Sequence, residues 1–128
     1  MNIVILDDSE TARLKIESLL LDAEYDNLDI NIFENGTEAY EFIENNEVDI
    51  VFSSIETQGM DGISFVDLVL RHNPKLVSRL FIVTSQKRTE HMEEIKGVGA
   101  KRFIHKPINE EYFKHFVLAE INKIIIGL

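Results

Sequence analysis

The sequence predicts an α/β fold in which five parallel strands alternate with five helices. Short apolar runs rich in Ile, Val and Phe alternate with longer segments in which apolar residues recur every three or four positions. That alternation is typical of βαβ units around a parallel sheet. With 128 residues and 45% hydrophobic content, the chain suits a single domain covering residues 1–128.

The first two repeats differ in the strength of their strands. Residues 3–6 are all apolar, and Ser9 can cap a helix in which apolar residues recur as far as Ala23. Ile30 and Ile32 alternate with polar neighbours before Phe33, and this weaker pattern favours a strand nearer the edge of the sheet. Asn35 then opens the second helix, with a glutamate three residues later as in a capping box.

The third strand is predicted at the centre of the sheet. Residues 48–52 are apolar nearly throughout, as expected for a strand covered on both faces. The helix that follows must stop before Pro74, because the residue preceding a proline disfavours the helical conformation. Residues 80–84 form the fourth predicted strand, and a short polar helix over 89–95 follows it.

The fifth repeat closes the chain. Residues 102–105 are the last predicted strand, and Asn109 caps a final helix. The apolar residues that indicate this helix are Tyr112, Phe113, Phe116, Val117, Ile121 and Ile124.

Charge is unevenly distributed along the chain, whose net charge is −10. Residues 1–66 carry −14, with Arg13 and Lys15 as their only Lys or Arg residues, and residues 67–128 carry +4. The acidic half argues against a nucleic-acid binder, which would need a basic face. The chain has no cysteine, and no apolar run approaches the length of a membrane span. We therefore expect a cytoplasmic protein that binds neither nucleic acid nor membrane.

A group of cations stands out in the second half of the sequence. These residues are Lys87, Arg88, Lys96, Lys101, Arg102 and Lys106. A solvated helix face explains them most simply, and a docking surface for an acidic partner is the alternative.

Polar residues close four of the predicted strands. Asp7 and Asp8 follow the first, Ser54 follows the third, Thr84 ends the fourth and Lys106 follows the fifth. In open parallel sheets, ligands bind in the crevice at the carboxyl ends of the strands. Adjacent aspartates can hold Mg²⁺ through carboxylate oxygens, although acids before a helix also stabilise its first turn without any ligand.

Four short motifs follow one another along most of the chain, namely Asp7-Asp8, Met60-Asp61-Gly62, Val83-Thr84-Ser85 and Lys106-Pro107. Together they resemble the CheY-like receiver domains of two-component response regulators. The resemblance implies a flavodoxin-like, doubly wound sheet of strand order 2-1-3-4-5 with helices on both faces. It also implies an aspartate on the third strand that accepts a phosphoryl group from a histidine kinase with Mg²⁺.

Ser54 occupies the position of that phosphoacceptor. In the family, the acceptor lies seven residues before the aspartate of the Asp-Gly pair, which here is Asp61. A serine hydroxyl is a poor replacement, because no base and orienting acid are evident to activate it. The vacancy predicts weak Mg²⁺ binding by Asp7 and Asp8. Glu56 could counter this prediction, because its side chain could supply a third carboxylate to Mg²⁺ or accept the phosphoryl group itself.

The resemblance assigns further roles near the site. Thr84 would close on a phosphoryl group. Lys106 would form an ion pair with Asp7 or Asp8, and the peptide bond between Lys106 and Pro107 would be cis. Phe103 holds the position of the family's switch aromatic, where tyrosine is common, although core packing is the simpler explanation. Thr57-Gln58 replaces the Met-Pro pair that usually follows the acceptor.

Three functions remain open at this stage. The first is a phosphorylation-independent receiver that binds a signalling protein, or itself as a homodimer, through the fourth helix, fifth strand and fifth helix. Its expected interface residues are Lys87, Arg88, Lys101 and Arg102. The second is an active, Mg²⁺-dependent receiver with an acceptor such as Glu56. The third, a flavodoxin-like binder of a nucleotide or flavin, ranks last because Asp7-Asp8 would repel phosphate.

Overall fold

A five-stranded parallel sheet forms the centre of the computed structural model, which describes residues 1–57, 59–85 and 90–126. Its strands are β1 (Asn2–Leu6), β2 (Asp29–Phe33), β3 (Ile50–Ser54), β4 (Leu80–Thr84) and β5 (Arg102–His105). The helices are α1 (Glu10–Asp22), α2 (Gly36–Asn45), α3 (Gly62–His72), α4 (Glu90–Gly97) and α5 (residues 110–126). A 3₁₀ turn, Pro74–Ser78, links α3 to β4.

The strand order is β2-β1-β3-β4-β5, which confirms the predicted topology. β1 pairs with β2 on one side and with β3 on the other, so the direction of winding reverses at β1. Two apolar cores cover the two faces of the sheet. Ile3 and Ile5 belong to one core and Val4 and Leu6 to the other, because successive side chains of a strand point to opposite faces.

Burial separates the central strands from the edge strands. Every residue of β3 and β4 is buried, whereas β2 and β5 each retain exposed side chains. The continuous apolar run predicted for the third strand and the alternating run of the second therefore correctly indicated a central and an edge position.

The boundaries of β3 differ from the sequence prediction. The strand runs two residues further than expected, because Ser53 and Ser54 continue the ladder opposite Ile82 and Val83 of β4. Asp49 lies before the strand rather than within it. Its side chain accepts a hydrogen bond from the amide of Asn2, at the end of the sheet opposite the predicted site.

The last helix also departs from expectation. Residues Phe113–Val117 form a π-helical segment between two α-helical segments. Phe113 is fully buried, as predicted, but Tyr112 and Phe116 are 42% and 62% exposed. These two residues are adjacent in sequence to the buried Phe113 and Val117, and their side chains lie on the exposed side of the helix. Among the helices described here, none is long and apolar enough to cross a membrane.

Candidate functional site at the carboxyl ends of the strands

Asp7 is the buried acid of the site. It follows the last residue of β1 and is 1% exposed, whereas the neighbouring Asp8 is exposed. Asp7 Oδ1 accepts a hydrogen bond from the amide of Ser9, 2.9 Å away, at the residue that caps α1. A carboxylate out of water needs such partners, because burial of an unpaired charge is costly. The loop after β1 therefore orients Asp7 inward and leaves Asp8 toward solvent.

Lys106 supplies the counter-charge to Asp7. Its Nζ donates to Asp7 Oδ1 at 3.0 Å and lies 2.9 Å from Oδ2. Oδ2 is buried and accepts no hydrogen bond of good geometry from the residues that the structure describes, so the ammonium charge itself compensates that oxygen. The peptide bond from Lys106 to Pro107 is cis, as the resemblance implied. The expected pair with one of the two aspartates is thus formed with Asp7.

Arg13 is a second cation at this loop and was not singled out from the sequence. Its Nη1 donates to the main-chain oxygen of Asp7 at 2.8 Å and lies 3.6 Å from Glu34 Oε2. Arg13 lies in the first turns of α1, six residues after Asp7, and that spacing is the signal that could have identified it. The guanidinium links the loop after β1 to the loop after β2.

Ser54 lies beside this ion pair at the end of the neighbouring strand. Ser53 is the β3 partner of Leu6 and Ser54 is the partner of Val83, so the ends of β1, β3 and β4 are side by side. Ser54 is 4% exposed, and its hydroxyl donates to the main-chain oxygen of Glu56 at 3.4 Å. No base is hydrogen-bonded to this hydroxyl among the contacts of the described residues.

The loop after β3 is held by Gly62. A Cβ on this residue would lie 2.3 Å from the main-chain oxygen of Ile55 and 2.6 Å from that of Ser54, so only glycine fits here. The amide of Gly62 donates to the same Ile55 oxygen at 2.8 Å. This close approach fixes the start of α3 against the end of β3.

Asp61 has a structural task at the same junction. It is the N-cap of α3, and its carboxylate accepts from the amide and the hydroxyl of Ser64, both at 2.9 Å. The Ser64 amide, followed by the hydroxyl, holds the pKa of the Asp61 carboxyl below its usual range. Asp61 therefore stabilises the helix start as an ionised cap.

Glu56 and Asp8 line a common cavity of about 500 Å³ beside the site. Glu56 is exposed, like Asp8. In the parts of the chain that the structure describes, no three acid, His or Cys side chains are grouped so that they could hold a metal ion. The donor set thus does not fit a three-ligand Mg²⁺ site, since Asp7 is committed to Lys106 and Ser54 provides no carboxylate. Weak Mg²⁺ binding by Asp7, Asp8 and Glu56 stays a prediction.

Thr84 and Phe103 occupy the β4 and β5 side of the site. Thr84 ends β4 and is 3% exposed, and its main-chain oxygen accepts from the amide of Lys106 at 2.8 Å. Phe103 is half-buried against the core on the side of α2 and α3. Lys96 Nζ lies 5.6 Å from the centre of its ring. Packing accounts for Phe103 in this structure, and its role as a switch stays a prediction.

The predicted interface surface contains an aromatic pair that the sequence did not indicate. The rings of Tyr112 and Phe116 are 5.0 Å apart, and both line a groove of about 430 Å³ that also contacts Lys101 and Arg102. Arg102 Nη2 lies 3.1 Å from Glu120 Oε2, and this guanidinium lowers the pKa of the Glu120 carboxyl.

Three residues of the sequence-based assignment, Gln58, Lys87 and Arg88, lie outside the described residues.

A second groove lies on the other side of the site and was also missed from the sequence. It has a volume of about 750 Å³ and is lined mainly by apolar atoms of α1 and of the segment after Lys106. Leu14 on its wall is 54% exposed, and Pro107 and Ile108 face it. The helical period of α1 placed its core residues correctly, but an exposed leucine gives no periodic signal of its own.

Sequence comparison relates the chain to proteins of known type. The family profile described as "Response regulator receiver domain" matches residues 3–117. A cyclic di-GMP phosphodiesterase of Thermotoga maritima is 31% identical over 114 residues, which are 89% of this chain and 29% of that protein. A protein-glutamate methylesterase/protein-glutamine glutaminase of Archaeoglobus fulgidus is 29% identical over 107 residues, covering 84% and 30%. The chain thus spans under a third of the length of these two relatives.

Solved structures share the fold over nearly the whole chain. A CheY-like receiver domain protein from Methanospirillum hungatei superposes with a TM-score of 0.83 at 19% identity, covering 99% of this chain and 98% of its own. Chemotaxis protein CheY4 of Vibrio cholerae gives 0.77 at 24% identity, with 96% and 97% covered. The beryllofluoride-activated NtrC4 receiver domain, solved as a dimer, gives 0.79 at 18% identity and 96% and 98% coverage. These likenesses establish the flavodoxin-like fold.

Proposed function

The chain belongs to the response regulator receiver domain family of two-component signalling, and we propose that it is a receiver that works without phosphorylation. On this proposal it acts by binding another signalling protein, or a second copy of itself. The observation that carries the proposal is Ser54, a buried hydroxyl at the end of β3, which we assign to the position of the family's phosphoacceptor aspartate from its spacing to Asp61. The Ser54 hydroxyl donates to the main-chain oxygen of Glu56, and a main-chain oxygen is not a base that can take the hydroxyl proton and so activate the serine for attack on phosphorus.

The electrostatics of the site support the same conclusion. Asp7 is already compensated by the ammonium of Lys106, with 2.9 Å between Oδ2 and Nζ. In an active receiver, a third carboxylate would add a negative charge and favour Mg²⁺. Here serine removes that charge, and the remaining Asp8 is exposed to water, which screens it. Divalent-cation binding is therefore proposed to be weak.

The proposed docking surface comprises α4, β5 and α5. Tyr112 and Phe116 expose their rings on α5 beside Lys101 and Arg102. Exposed aromatic residues next to a groove are typical of interface anchors. Lys101 is exposed and gives this edge positive charge, which favours an acidic partner. A homodimer through this surface is an alternative use of the same residues, and a histidine kinase is an alternative partner.

An active receiver that uses Glu56 is the second candidate. Glu56 and Asp8 line one cavity next to the end of β3, which is the observation in its favour. Glu56 extends from a loop two residues past the strand, so its carboxylate approaches the site from a different origin than an aspartate at position 54 would. Phosphorylation of Glu56 would require Mg²⁺ and a phosphoryl donor, and the function would then depend on both.

Incubation with acetyl phosphate and Mg²⁺, followed by intact-mass spectrometry, tests the proposal. We expect no phosphoryl adduct on the natural sequence and an adduct on Ser54→Asp, which restores the family's acceptor. An adduct on the natural sequence that disappears in Glu56→Gln would establish the second candidate instead. The expected cytoplasmic location belongs to the same proposal and can be checked by cell fractionation.

A further inference from the structure

We propose that the open edge of β2 is a docking site for an extended segment of another protein that carries lysine or arginine at alternate positions. The segment would add a strand to the sheet, which is a common mode of peptide recognition. This edge is the opposite one from β5, because β2 and β5 are the two ends of the strand order. The inference therefore goes beyond the proposed function and does not depend on it.

The backbone of β2 has hydrogen-bonding groups available on its outer side. Its partner is β1, toward which Asp29 donates its amide to the Met1 oxygen at 2.9 Å and Phe33 accepts from the amide of Asp7 at 3.0 Å. Successive residues of a strand direct their main-chain groups to opposite sides. The amides and carbonyls of Ile30 and Ile32 consequently point to the open edge, with the spacing that a second strand requires.

Apolar side chains lie on both sides of this edge. Ile32 is the register partner of Ile5, lies on the same face of the sheet as Ile5, and is 39% exposed. On the other face, the rings of Phe33 and Phe42 are 5.4 Å apart and half-buried. A strand laid against β2 would point alternate side chains to these two faces. It would shield Ile32 from water and extend the contact with the two rings.

Charge determines what kind of strand fits. The sequence contains no Lys or Arg from residue 16 to residue 70. The acids between residues 22 and 47 are all exposed, and they are Asp22, Glu24, Asp26, Asp29, Glu34, Glu38, Glu41, Glu44 and Glu47. Among the described residues, Glu34 is the only one of these acids that forms an ion pair, and its partner is Arg13 at 3.6 Å.

The same carboxylates exclude a second copy of this chain from pairing β2 against β2. Two such edges would bring like charges together, which is how many proteins keep edge strands from self-association. A segment with alternate basic residues removes this repulsion, because its side chains can pair with Asp29 at the start of β2 and Glu38 in the first turn of α2. The edge is therefore open to a basic strand and closed to an acidic one.

A titration with the acetylated, amidated heptapeptide Lys-Val-Lys-Val-Lys-Val-Lys tests the proposal. In ¹H–¹⁵N spectra of the whole chain, we expect the largest shifts at the amides of Ile30 and Ile32, with slowed hydrogen exchange of both. Methylating the backbone nitrogens of alternate peptide residues should weaken binding at least tenfold. The double variant Asp29→Asn, Glu38→Gln should also weaken binding of the unmethylated peptide, by roughly threefold for each ion pair that is lost. The matched control Lys101→Gln, on the opposite edge, should leave the affinity unchanged.

Each contrary result overturns the inference. Equal binding of the N-methylated peptide would mean that the acids attract the peptide without strand addition. Shifts confined to β5 and α5 would assign the peptide to the other surface. Absence of binding at millimolar peptide would mean that the acids only protect the edge. None of these results bears on whether the chain accepts a phosphoryl group or on docking at the β5 surface, so the proposed function is tested separately.

Discussion

Lys106, which follows β5, forms an ion pair with Asp7, which follows β1. Nζ of Lys106 lies 2.9 Å from Asp7 Oδ2 and 3.0 Å from Oδ1, although 99 positions separate the residues in the chain. The ammonium of Lys106 compensates the buried carboxylate of Asp7, and position 54 adds no further carboxylate. The folded state therefore depends on Lys106 to offset the cost of burying the Asp7 charge.

Removal of Lys106 should destabilise the fold. In Lys106→Met, Asp7 would keep the Ser9 amide as a partner but lose its counter-charge in a buried position. Breaking a fully buried ion pair costs about 3–5 kcal/mol, and the partial exposure of Lys106 reduces the expected loss to about 2 kcal/mol. Urea unfolding measures it. The double variant Asp7→Asn, Lys106→Met should recover part of the loss, and an additive double variant would contradict coupling between the residues.

Replacement of Gly62 by alanine should strongly destabilise the protein. The new Cβ would meet main-chain oxygens of Ile55 and Ser54 at 2.3 and 2.6 Å, so the loop or the helix start must move. We expect a loss of about 3 kcal/mol, at the upper end of overpacking costs. Gly97→Ala is the matched control, because none of the described residues has an atom within 4 Å of the Cβ that alanine would add. It should be neutral or stabilise α4 by about 0.5 kcal/mol, and similar losses in both variants would refute the packing argument.

Stability should depend on pH through Asp61. The pKa of this carboxyl is lowered in the folded state by the Ser64 hydrogen bonds. Its ionised form therefore contributes stability that is present above the unfolded pKa of about 3.9 and is lost as the pH falls through the lower folded value. Asp61→Asn keeps a capping side chain without titrating, whereas Asp61→Ala should lose about 1 kcal/mol at neutral pH.

The measurement for Asp61 is thermal unfolding from pH 7 to pH 2.5. The difference between the natural sequence and Asp61→Asn should shrink as the pH falls below about 4. A difference that is constant over this range would show that ionisation of Asp61 does not contribute.

Restoring a carboxylate at position 54 should restore Mg²⁺ affinity. We expect the natural sequence to bind Mg²⁺ with a dissociation constant above about 1 mM, because Asp7 is compensated by Lys106 and no third acid joins it. Ser54→Asp should bind at least roughly tenfold more tightly, and Ser54→Asn, which adds bulk without charge, serves as its control. Isothermal titration calorimetry gives both constants. Sub-millimolar affinity of the natural sequence would contradict this reading of the site.

Substitutions of Phe116 and Phe113 should distinguish a residue needed for docking from one needed for folding. Phe116 is 62% exposed, so Phe116→Ser should change the unfolding free energy by less than about 0.5 kcal/mol. Phe113 is fully buried beside Phe52, and Phe113→Ala should cost about 3–5 kcal/mol. If α4, β5 and α5 form the docking surface, Phe116→Ser should weaken association while remaining folded. Sedimentation velocity of the natural sequence and the variant tests the homodimer, and unchanged association would exclude Phe116 as an anchor.

The sequence by itself determined the fold class, the central position of β3 and the edge position of β2. Apolar runs, helical periods and capping residues such as Ser9 and Asn35 are local features, and the structure places the starts of α1, α2 and α5 where a cap was expected. The sequence also predicted that the polar residues following β1, β3, β4 and β5 lie near one another, because the carboxyl ends of parallel strands share one edge of the sheet.

Only the tertiary structure decided which groups actually meet. Lys106 pairs with Asp7 rather than with the exposed Asp8, Arg13 reaches across to Glu34, and Ser54 belongs to β3 itself because Val83 continues its ladder. The helical period of the last helix did not indicate that Phe116 is exposed. Periodicity assigns a residue to an element, but the burial and charge pairing of its side chain depend on neighbours that are distant in the chain.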